Sequence, residues 1–466
     1  MSSTPNIVEF IMHDLGTHLS CYGESGARTP NIDALAGESV VFDNMFCTAP
    51  QCSPARASIM TGCYPHSVGM MGLAHLGWGY RSGQRTITQL LRERGYRTWL
   101  GGIHHECGHG PERFVKEQLG YDEYSRAEPV ELLGRASASG KPFFFSMGFF
   151  AAHRPFEADV TDDQIAATVL PSYVPDTPAT RRDVAQLEAL VAKTDVTIGR
   201  ALRVLEESGA AENTIVLFTT DHGPDLNRAK MTLYDPGIQV ACLLRLPPAV
   251  MRDPPRGLRV PALASTIDIL PTLLDLTGAQ TPEFVQGRSL VPAIDDACRR
   301  PASAAGTGPA PRESPPRRIG REYVIAEKTY HVIYDPQRCI RTRRYKYIVN
   351  WKPYQPIQLT VQHSARIGLD WCGELYGTAR GEEELYDLEA DPGELTNLAY
   401  LDGYQEVRRD LRERLFTALR ETGDPLLDGP VPPRARVRPQ MEWRFDSAAG
   451  RYVPHITDAA PPRLLN

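Results

Sequence analysis

Four short apolar runs in this chain are each followed by side chains that can bind a metal or transfer a proton. The runs extend from Asn6 to Met12, Thr98 to Leu100, Pro142 to Met147 and Thr214 to Thr219, and the residues that follow them are His13 and Asp14, His104 and His105, His153 and Arg154, and Asp221 and His222. Short apolar runs are typical of buried strands in a parallel sheet. Because the carboxyl ends of parallel strands meet at one edge, we expect these side chains to converge.

Helical patterns alternate with the apolar runs. The clearest one extends from Arg182 to Ser208, where apolar residues recur at helix-face spacing and Gly209 provides a stop signal. Strands that alternate with helices predict an α/β fold, in which a mainly parallel sheet is sandwiched by helices.

The pattern changes in the last third of the chain. CIRTRRYKYIVNW predicts two strands, and apolar residues at helical spacing predict a helix from Tyr404 to Arg420. We therefore expect a catalytic α/β domain over residues 1–337 and a small C-terminal antiparallel-sheet subdomain and tail over residues 338–466. A Pro-, Ala- and Arg-rich stretch at about 301–318 is expected to be a surface insertion.

Charge, apolar runs and cysteine spacing indicate which partners and which cellular location to expect. The net charge of −6 gives no electrostatic reason to expect nucleic acid or an anionic membrane as a partner. No apolar run is long enough to span a bilayer, and the N-terminus lacks the features of a signal peptide. The 9 cysteines show no pair spacing, which fits reduced thiols. We expect a cytoplasmic protein, and the subdomain and tail offer surface for an oligomer.

The stretch CSPARASIMTG, from Cys52 to Gly62, places a cysteine at a predicted helix start. Pro54 suits the first turn of a helix, where its missing N–H group costs nothing. The free N–H groups of that turn attract anions. From these residues alone, Cys52 is either a reactive group at this positive end or a small buried core residue.

The pattern C-x-P-x-R, followed by Met60, Thr61 and Gly62, resembles the signature of the type I sulfatases, in which the cysteine is oxidised to formylglycine after synthesis. PNIVEFIMHDLGTHLSCYG and FTTDHG resemble the two metal loops of that family, and ELYDLEADPGELTNLA resembles its C-terminal subdomain. The resemblance covers most of the chain and is closest to the sulfamidase (heparan N-sulfatase) branch. It implies an alkaline-phosphatase-like fold and hydrolysis of a sulfate ester or sulfamate.

The resemblance also implies a divalent metal site. Asp14, Asp221, His222 and the residue at position 52 match the family's ligands, and Ca²⁺ is the family's usual ion. His13 stands where the family has a second aspartate, so it either binds the metal or only forms hydrogen bonds beside it. Imidazole ligands make Mn²⁺ or Zn²⁺ possible as well.

Further residues match the family's catalytic groups. Arg56 and Lys230 match the cations that contact the hydrated formylglycine and the sulfate group, respectively. His153 matches the histidine that protonates the leaving group. His105 matches the histidine that helps to break down the covalent intermediate, with His104 as the alternative.

One family lysine is replaced by Ile103, and we expect His104 or Arg154 to bind substrate in its place. The implied reaction begins with attack of a formylglycine hydroxyl on sulfur, which forms a sulfo-enzyme, and ends with expulsion of sulfate. A small-molecule or saccharide sulfate is the expected substrate, and a formylglycine-generating enzyme is the expected partner during maturation.

Two alternatives remain. A phosphonate monoester hydrolase or phosphodiesterase of the same superfamily would use a similar site. A non-catalytic binding protein derived from a sulfatase would fit the changes at His13 and Ile103.

Overall fold

The structure is a computed structural model that describes residues 4–24, 26–108, 110–299, 320–331, 333–353 and 380–434, with the backbone of residues 441–446 and 451–456. The insertion predicted at about 301–318 lies outside the described residues. Within the described ranges, no helix is long and apolar enough to cross a membrane.

The strands form one large sheet, one small sheet and a ribbon. In chain order they are β1 Asn6–Met12, β2 Val40–Phe46, β3 Arg97–Gly102, β4 Glu123–Ser125, β5 Phe143–Phe149, β6 Thr214–Thr220, β7 Gln239–Val240, β8 Cys242–Arg245, β9 Leu258–Ser265, β10 Val324–Tyr330, β11 Tyr334–Arg341, β12 Tyr345–Asn350, β13 Glu383–Asp387, β14 Met441–Asp446 and β15 Arg451–Ile456. Within the described residues, strands β14 and β15 pair with each other alone.

The large sheet has the order β4-β3-β5-β1-β6-β8-β2-β7, with β9 beside β2. The four strands predicted from the apolar runs, β3, β5, β1 and β6, are neighbours in this order and pair in parallel. The predicted mainly parallel sheet is therefore confirmed. Among the strands that the structure describes in this sheet, antiparallel pairing is confined to the contacts of β7 and β8. The residues that follow the four strands consequently share one edge.

Helices cover both faces of the large sheet. In the described part of the chain, the α-helices are α1 Pro30–Gly37, α2 Cys52–Thr61, α3 Pro65–Val68, α4 Ile87–Arg92, α5 Glu112–Leu119, α6 Pro129–Ser137, α7 Asp162–Ala167, α8 Pro178–Glu207, α9 Asp235–Ile238, α10 Ile269–Leu276, α11 Val291–Arg299 and α12 Gln405–Glu421, the last of which packs on the small sheet. Side chains of α1, α6 and α8 pack with Val8 and Phe10 of β1 in one core. Side chains of α2, α4 and α10 pack with Ile7 in the other. Side chains of β1 therefore enter cores on both sides of the sheet, as in a strand that is buried on both faces.

The small sheet is antiparallel, as predicted, in the order β10-β11-β12-β13. Leu411, Leu415 and Leu419 of α12 pack in the same core as this sheet. Its first strand begins at Val324, before the boundary placed at residue 338, and the division into domains stays a prediction. The side-chain amide of Gln51 donates to the carbonyl of Tyr330 at 2.9 Å, so the end of β10 lies against the segment that enters α2.

Candidate active site

Five potential metal ligands meet where β1 and β6 end and α2 begins. One ligand atom from each residue lies within 4.8 Å of the others, and all five residues are buried: His13, Asp14, Cys52, Asp221 and His222. Strands β1 and β6 are adjacent and parallel, so their ends bring the first pair and the last pair together. Helix α2 begins at Cys52, as the sequence predicts, and contributes the fifth residue.

The two carboxylates are held in ionised form. Asp14 adopts a left-handed backbone conformation, with φ of 47°, and its N–H group donates to Asp221 Oδ1 at 3.0 Å. Such strain is concentrated at functional sites. Burial opposes ionisation, yet Lys230 and the surrounding histidines hold the pKa of Asp14 well below its usual value. Burial also opposes ionisation of Asp221, yet the charges of His13, His222 and Arg56 lower its pKa to about 2.

His222 presents a lone pair to this cluster. Its Nδ1–H group donates to the carbonyl of Gly223 at 2.9 Å, which leaves Nε2 unprotonated in the neutral ring. Nε2 lies 3.2 Å from Asp14 Oδ1 and 3.5 Å from Cys52 Sγ. A hydrogen bond from the far ring nitrogen is the usual way in which proteins orient a metal-binding imidazole. Carboxylates and imidazole together form a donor set that fits a divalent cation.

Two buried cations lie beside the carboxylates. Lys230 Nζ is 2.5 Å from Asp14 Oδ2, and Arg56 Nε is 3.0 Å from Asp221 Oδ2. Arg56 Nη2 has no hydrogen-bond partner among the described residues. A buried donor without a partner is costly, so the N–H groups of Nη2 are available to an anionic ligand.

A chain of hydrogen bonds connects the carboxylates to His105. His13 Nδ1 lies 2.6 Å from Asp14 Oδ1 and 3.2 Å from Asp221 Oδ2, while its Nε2 lies 2.8 Å from Nδ1 of His105. Burial lowers the pKa of His13 to about 4. Burial and the adjacent positive charges hold the pKa of His105 well below its usual value. Both rings are therefore neutral at pH 7, and His105 can accept a proton.

His153 faces the same cluster from the loop after β5. Its Nδ1–H group donates to the carbonyl of Arg154, and its Nε2 lies 3.9 Å from Asp14 Oδ2. The side chain is 23% exposed, whereas those of His13 and Asp14 are fully buried. Nε2 is thus placed where it can exchange a proton with a ligand that enters from solvent.

The two predicted substrate contacts, His104 and Arg154, have other partners. His104 Nδ1 lies 3.5 Å from Cys107 Sγ, and His105 is the member of the pair that contacts His13. Arg154 is 2% exposed and pairs with Asp183 at 2.7 Å. These contacts favour structural roles, and substrate binding by either residue stays a prediction.

His331 is a site residue that the sequence analysis missed. It follows Tyr330 at the end of β10, is 8% exposed, and its Nδ1 has no hydrogen-bond partner among the described residues. Burial, with the nearby charges of Lys230 and Lys328, holds its pKa well below the usual value. No local motif marks this residue, because the small sheet brings it to the site.

Glu9 is a second missed residue, although the sequence carries a signal for it. It is the charged member of the apolar strand NIVEFIM, is 1% exposed, and accepts a hydrogen bond from the Ser146 hydroxyl at 2.8 Å. Burial, with the nearby charge of Glu106, raises its pKa to about 7. The carboxyl group is close enough to Arg56 for their charges to interact, and it exchanges a proton close to neutral pH.

The pKa of Glu9 predicts a pH-dependent effect of Glu9→Gln. Between the ordinary pKa of 4.5 and the folded value of about 7, the folded protein binds a proton that the unfolded chain does not. Glu9 therefore makes the wild type less stable as pH rises through this window. Glutamine does not titrate, so the variant should gain about 3 kcal/mol in unfolding free energy relative to the wild type.

Denaturant unfolding at both ends of this pH window would measure the gain. Glu117→Gln is the matched control, because the Glu117 side chain is 59% exposed on α5. If the difference between Glu9→Gln and wild type does not change with pH, Glu9 does not titrate in this range.

Comparison with known proteins shows which family this chain resembles. A family model described as Sulfatase matches residues 5–279. The chain is 27% identical to an ulvan-active sulfatase of Formosa agariphila, over 90% of this chain and 75% of that protein. It is 27% identical to the N-sulphoglucosamine sulphohydrolase of Homo sapiens, over 91% of this chain and 92% of that protein.

Two solved structures share the fold. A putative sulfatase from Bacteroides fragilis superposes with a TM-score of 0.68 at 20% identity, over 93% of this chain and 98% of that one. A protein solved in complex with its substrate, D-glucosamine-2-N,6-O-disulfate, has a TM-score of 0.64 at 19% identity, over 91% of this chain and 99% of that one.

Proposed function

The chain belongs to the sulfatase family, and from that premise we propose that its hydrolysis of sulfuric esters or sulfamates depends on formylglycine made from Cys52. The state of the thiol supports this proposal. Cys52 is 4% exposed, and burial, with Asp14 and Asp221, holds its pKa well above the usual value in spite of Lys230. A thiol that stays protonated is a poor nucleophile. When formed, formylglycine supplies a hydrated aldehyde whose hydroxyl group can attack sulfur.

We propose that Asp14, Asp221, His222 and residue 52 hold a divalent metal, with His13 as a fifth ligand or a hydrogen-bonding neighbour. The support is the donor cluster, in which the ligand atoms lie within 4.8 Å of one another. A divalent ion held by these residues would supply charge stabilisation and lower the pKa of the attacking hydroxyl group. Ca²⁺ is the ion expected from the family, and Mn²⁺ or Zn²⁺ suits the imidazoles better.

The remaining polar residues have separate roles in the proposed mechanism. Lys230 and Arg56 bind the sulfuryl oxygens, since both cations are buried beside the carboxylates. His153 gives a proton to the bridging oxygen or nitrogen as its bond to sulfur breaks. His105 accepts a proton when sulfate is released, because its ring is neutral at pH 7.

We propose a sulfated saccharide as the substrate. The names of the two curated relatives indicate ulvan and N-sulphoglucosamine as targets, and the complex named above holds a sulfated glucosamine. O-sulfate and N-sulfate fit the same site, since His153 can protonate an oxygen or a nitrogen.

An assay of the mature protein tests this proposal. The protein would be produced together with a formylglycine-generating enzyme and incubated with N-sulfoglucosamine, glucosamine 6-sulfate and 4-nitrophenyl sulfate. We expect sulfate release, measured by ion chromatography, to exceed hydrolysis of an aryl phosphonate. Faster hydrolysis of the phosphonate would favour the phosphonate hydrolase, and no hydrolysis by protein that contains formylglycine would favour a binding protein.

A change at His13 tests whether its imidazole binds the metal. If it does, protein stripped of metal should be stabilised more by Mn²⁺ than by Ca²⁺, and His13→Asp should move the preference toward Ca²⁺ by about tenfold, because a carboxylate replaces an imidazole. The ratio of the two dissociation constants, measured by thermal shift titration, reports this preference without an activity assay.

His104→Asp is the matched control for this titration. His104 follows the end of β3 and lies outside the donor cluster. We expect its metal preference to equal that of the wild type. An unchanged preference in His13→Asp as well would show that His13 only forms hydrogen bonds beside the metal.

A further inference from the structure

Phe150 is an exposed aromatic residue that contacts three histidines of the candidate active site. It directly follows β5, and 45% of the residue is exposed. Its ring stacks on His153, with centroids 4.6 Å apart and planes at 19°. It is also oriented edge-to-face toward His13 at 5.7 Å and His105 at 6.3 Å.

Exposure of a single aromatic residue is ordinary, so the contacts give Phe150 its significance. Phe114 and Phe284 are comparably exposed, at 37% and 38%. Neither is among the ring contacts of the histidines in the described part of the chain, whereas Phe150 contacts three of them. The exposed part of the Phe150 ring therefore borders the place where a ligand of His153 must lie.

We infer that Phe150 is a specificity residue that binds the apolar face of a ring in the leaving group of the substrate. This inference rests on the proposed function, because it needs the bridging atom of the substrate to lie beside His153. A bridging atom within about 3 Å of His153 Nε2 brings the first ring of the leaving group within van der Waals reach of Phe150. Aromatic faces attract other rings and apolar surface, and desolvation of an exposed phenyl group adds to the binding.

Two kinds of substrate offer this chemistry. An aryl sulfate presents a flat ring, and a sulfated pyranose presents its C–H face. An acyclic alkyl sulfate carries the same sulfuryl group but has no ring to contact Phe150. The ratio of kcat/KM for ring substrates to kcat/KM for acyclic substrates therefore measures the contact with Phe150 separately from binding of the sulfuryl group.

Steady-state kinetics of Phe150→Ala in the mature, metal-loaded enzyme test the inference. With 4-nitrophenyl sulfate and glucosamine 6-sulfate, we expect KM to rise about tenfold and kcat to change by less than about twofold. With ethyl sulfate, kcat/KM should fall by less than about twofold. Phe150→Trp should restore the KM of the ring substrates, and Phe114→Ala should behave as wild type.

Calorimetry on inactive protein separates this inference from the proposed function. In the Cys52→Ala background, Phe150→Ala should weaken binding of glucosamine 6-sulfate about tenfold, and this arm remains informative if the wild type hydrolyses no sulfate. Unchanged affinity would overturn the inference. An equal loss of kcat/KM for ring and acyclic substrates would also overturn it, because Phe150 would then only position His153.

Discussion

Replacing Cys52 with alanine should abolish sulfate release and leave the fold intact. The expected loss in kcat is about 10⁴-fold or more, which is typical when the nucleophile of an enzyme is removed. Alanine retains the Cβ atom at the start of α2, so the loss of one buried sulfur should cost only about 1 kcal/mol. Ion chromatography of released sulfate and a thermal melt would measure the two effects.

Cys47→Ala is the matched control for this experiment. Cys47 is also buried, at 1% exposed, and its thiol donates to the carbonyl of Ala49 outside the donor cluster. We expect a similar loss of stability with activity retained. Cys52→Ser should be inactive as well, because an alcohol can accept a sulfuryl group but cannot expel it by elimination. Substantial turnover in Cys52→Ala would rule out chemistry at this position.

Replacing His153 with alanine should slow hydrolysis in a way that depends on the leaving group. For saccharide and alkyl sulfates, which need a proton on the departing oxygen, we expect kcat to fall by about 10² to 10⁴-fold. For 4-nitrophenyl sulfate the loss should be about tenfold or less, because nitrophenolate leaves without a proton. Rates for sulfate esters with a series of leaving groups would give the slope of log kcat against leaving-group pKa, which should differ between the variant and the wild type.

Rescue by imidazole provides the control for this variant. The His153 side chain is 23% exposed, so a small acid can enter the space that alanine leaves. Added imidazole should restore part of the rate with saccharide sulfates and have little effect with 4-nitrophenyl sulfate. A uniform loss across all leaving groups would contradict the role of general acid and indicate that His153 only shapes the site.

The sequence determined the fold class and the edge of the sheet where the site lies. Apolar runs and helical periodicity are local properties of the chain, and they located β1, β3, β5 and β6. Parallel pairing then required the residues after these strands to share an edge. The same locality explains why the start of α2 could be read from Pro54 and its neighbours.

The choice between neighbouring polar residues was decided only by tertiary structure. His104 and His105 are adjacent in sequence, and the fold brings only His105 within 2.8 Å of His13. Arg154 follows His153 directly, yet it pairs with Asp183 of α8. Which of two adjacent side chains reaches a partner depends on the direction in which a loop leaves its strand, and periodicity carries no information about that direction.

Tertiary structure also identified residues of the candidate site that no sequence motif marks. His331 reaches the site because Gln51 holds the end of β10 beside the start of α2. Phe150 is one apolar residue in GFFAAHRPF, and its exposure and its ring contacts with three histidines distinguish it from its neighbours. The raised pKa of Glu9 depends on burial of its side chain in the folded protein. Distance, burial and charge are properties of the folded chain, whereas the pattern that brings the potential metal ligands to one edge is already present in the sequence.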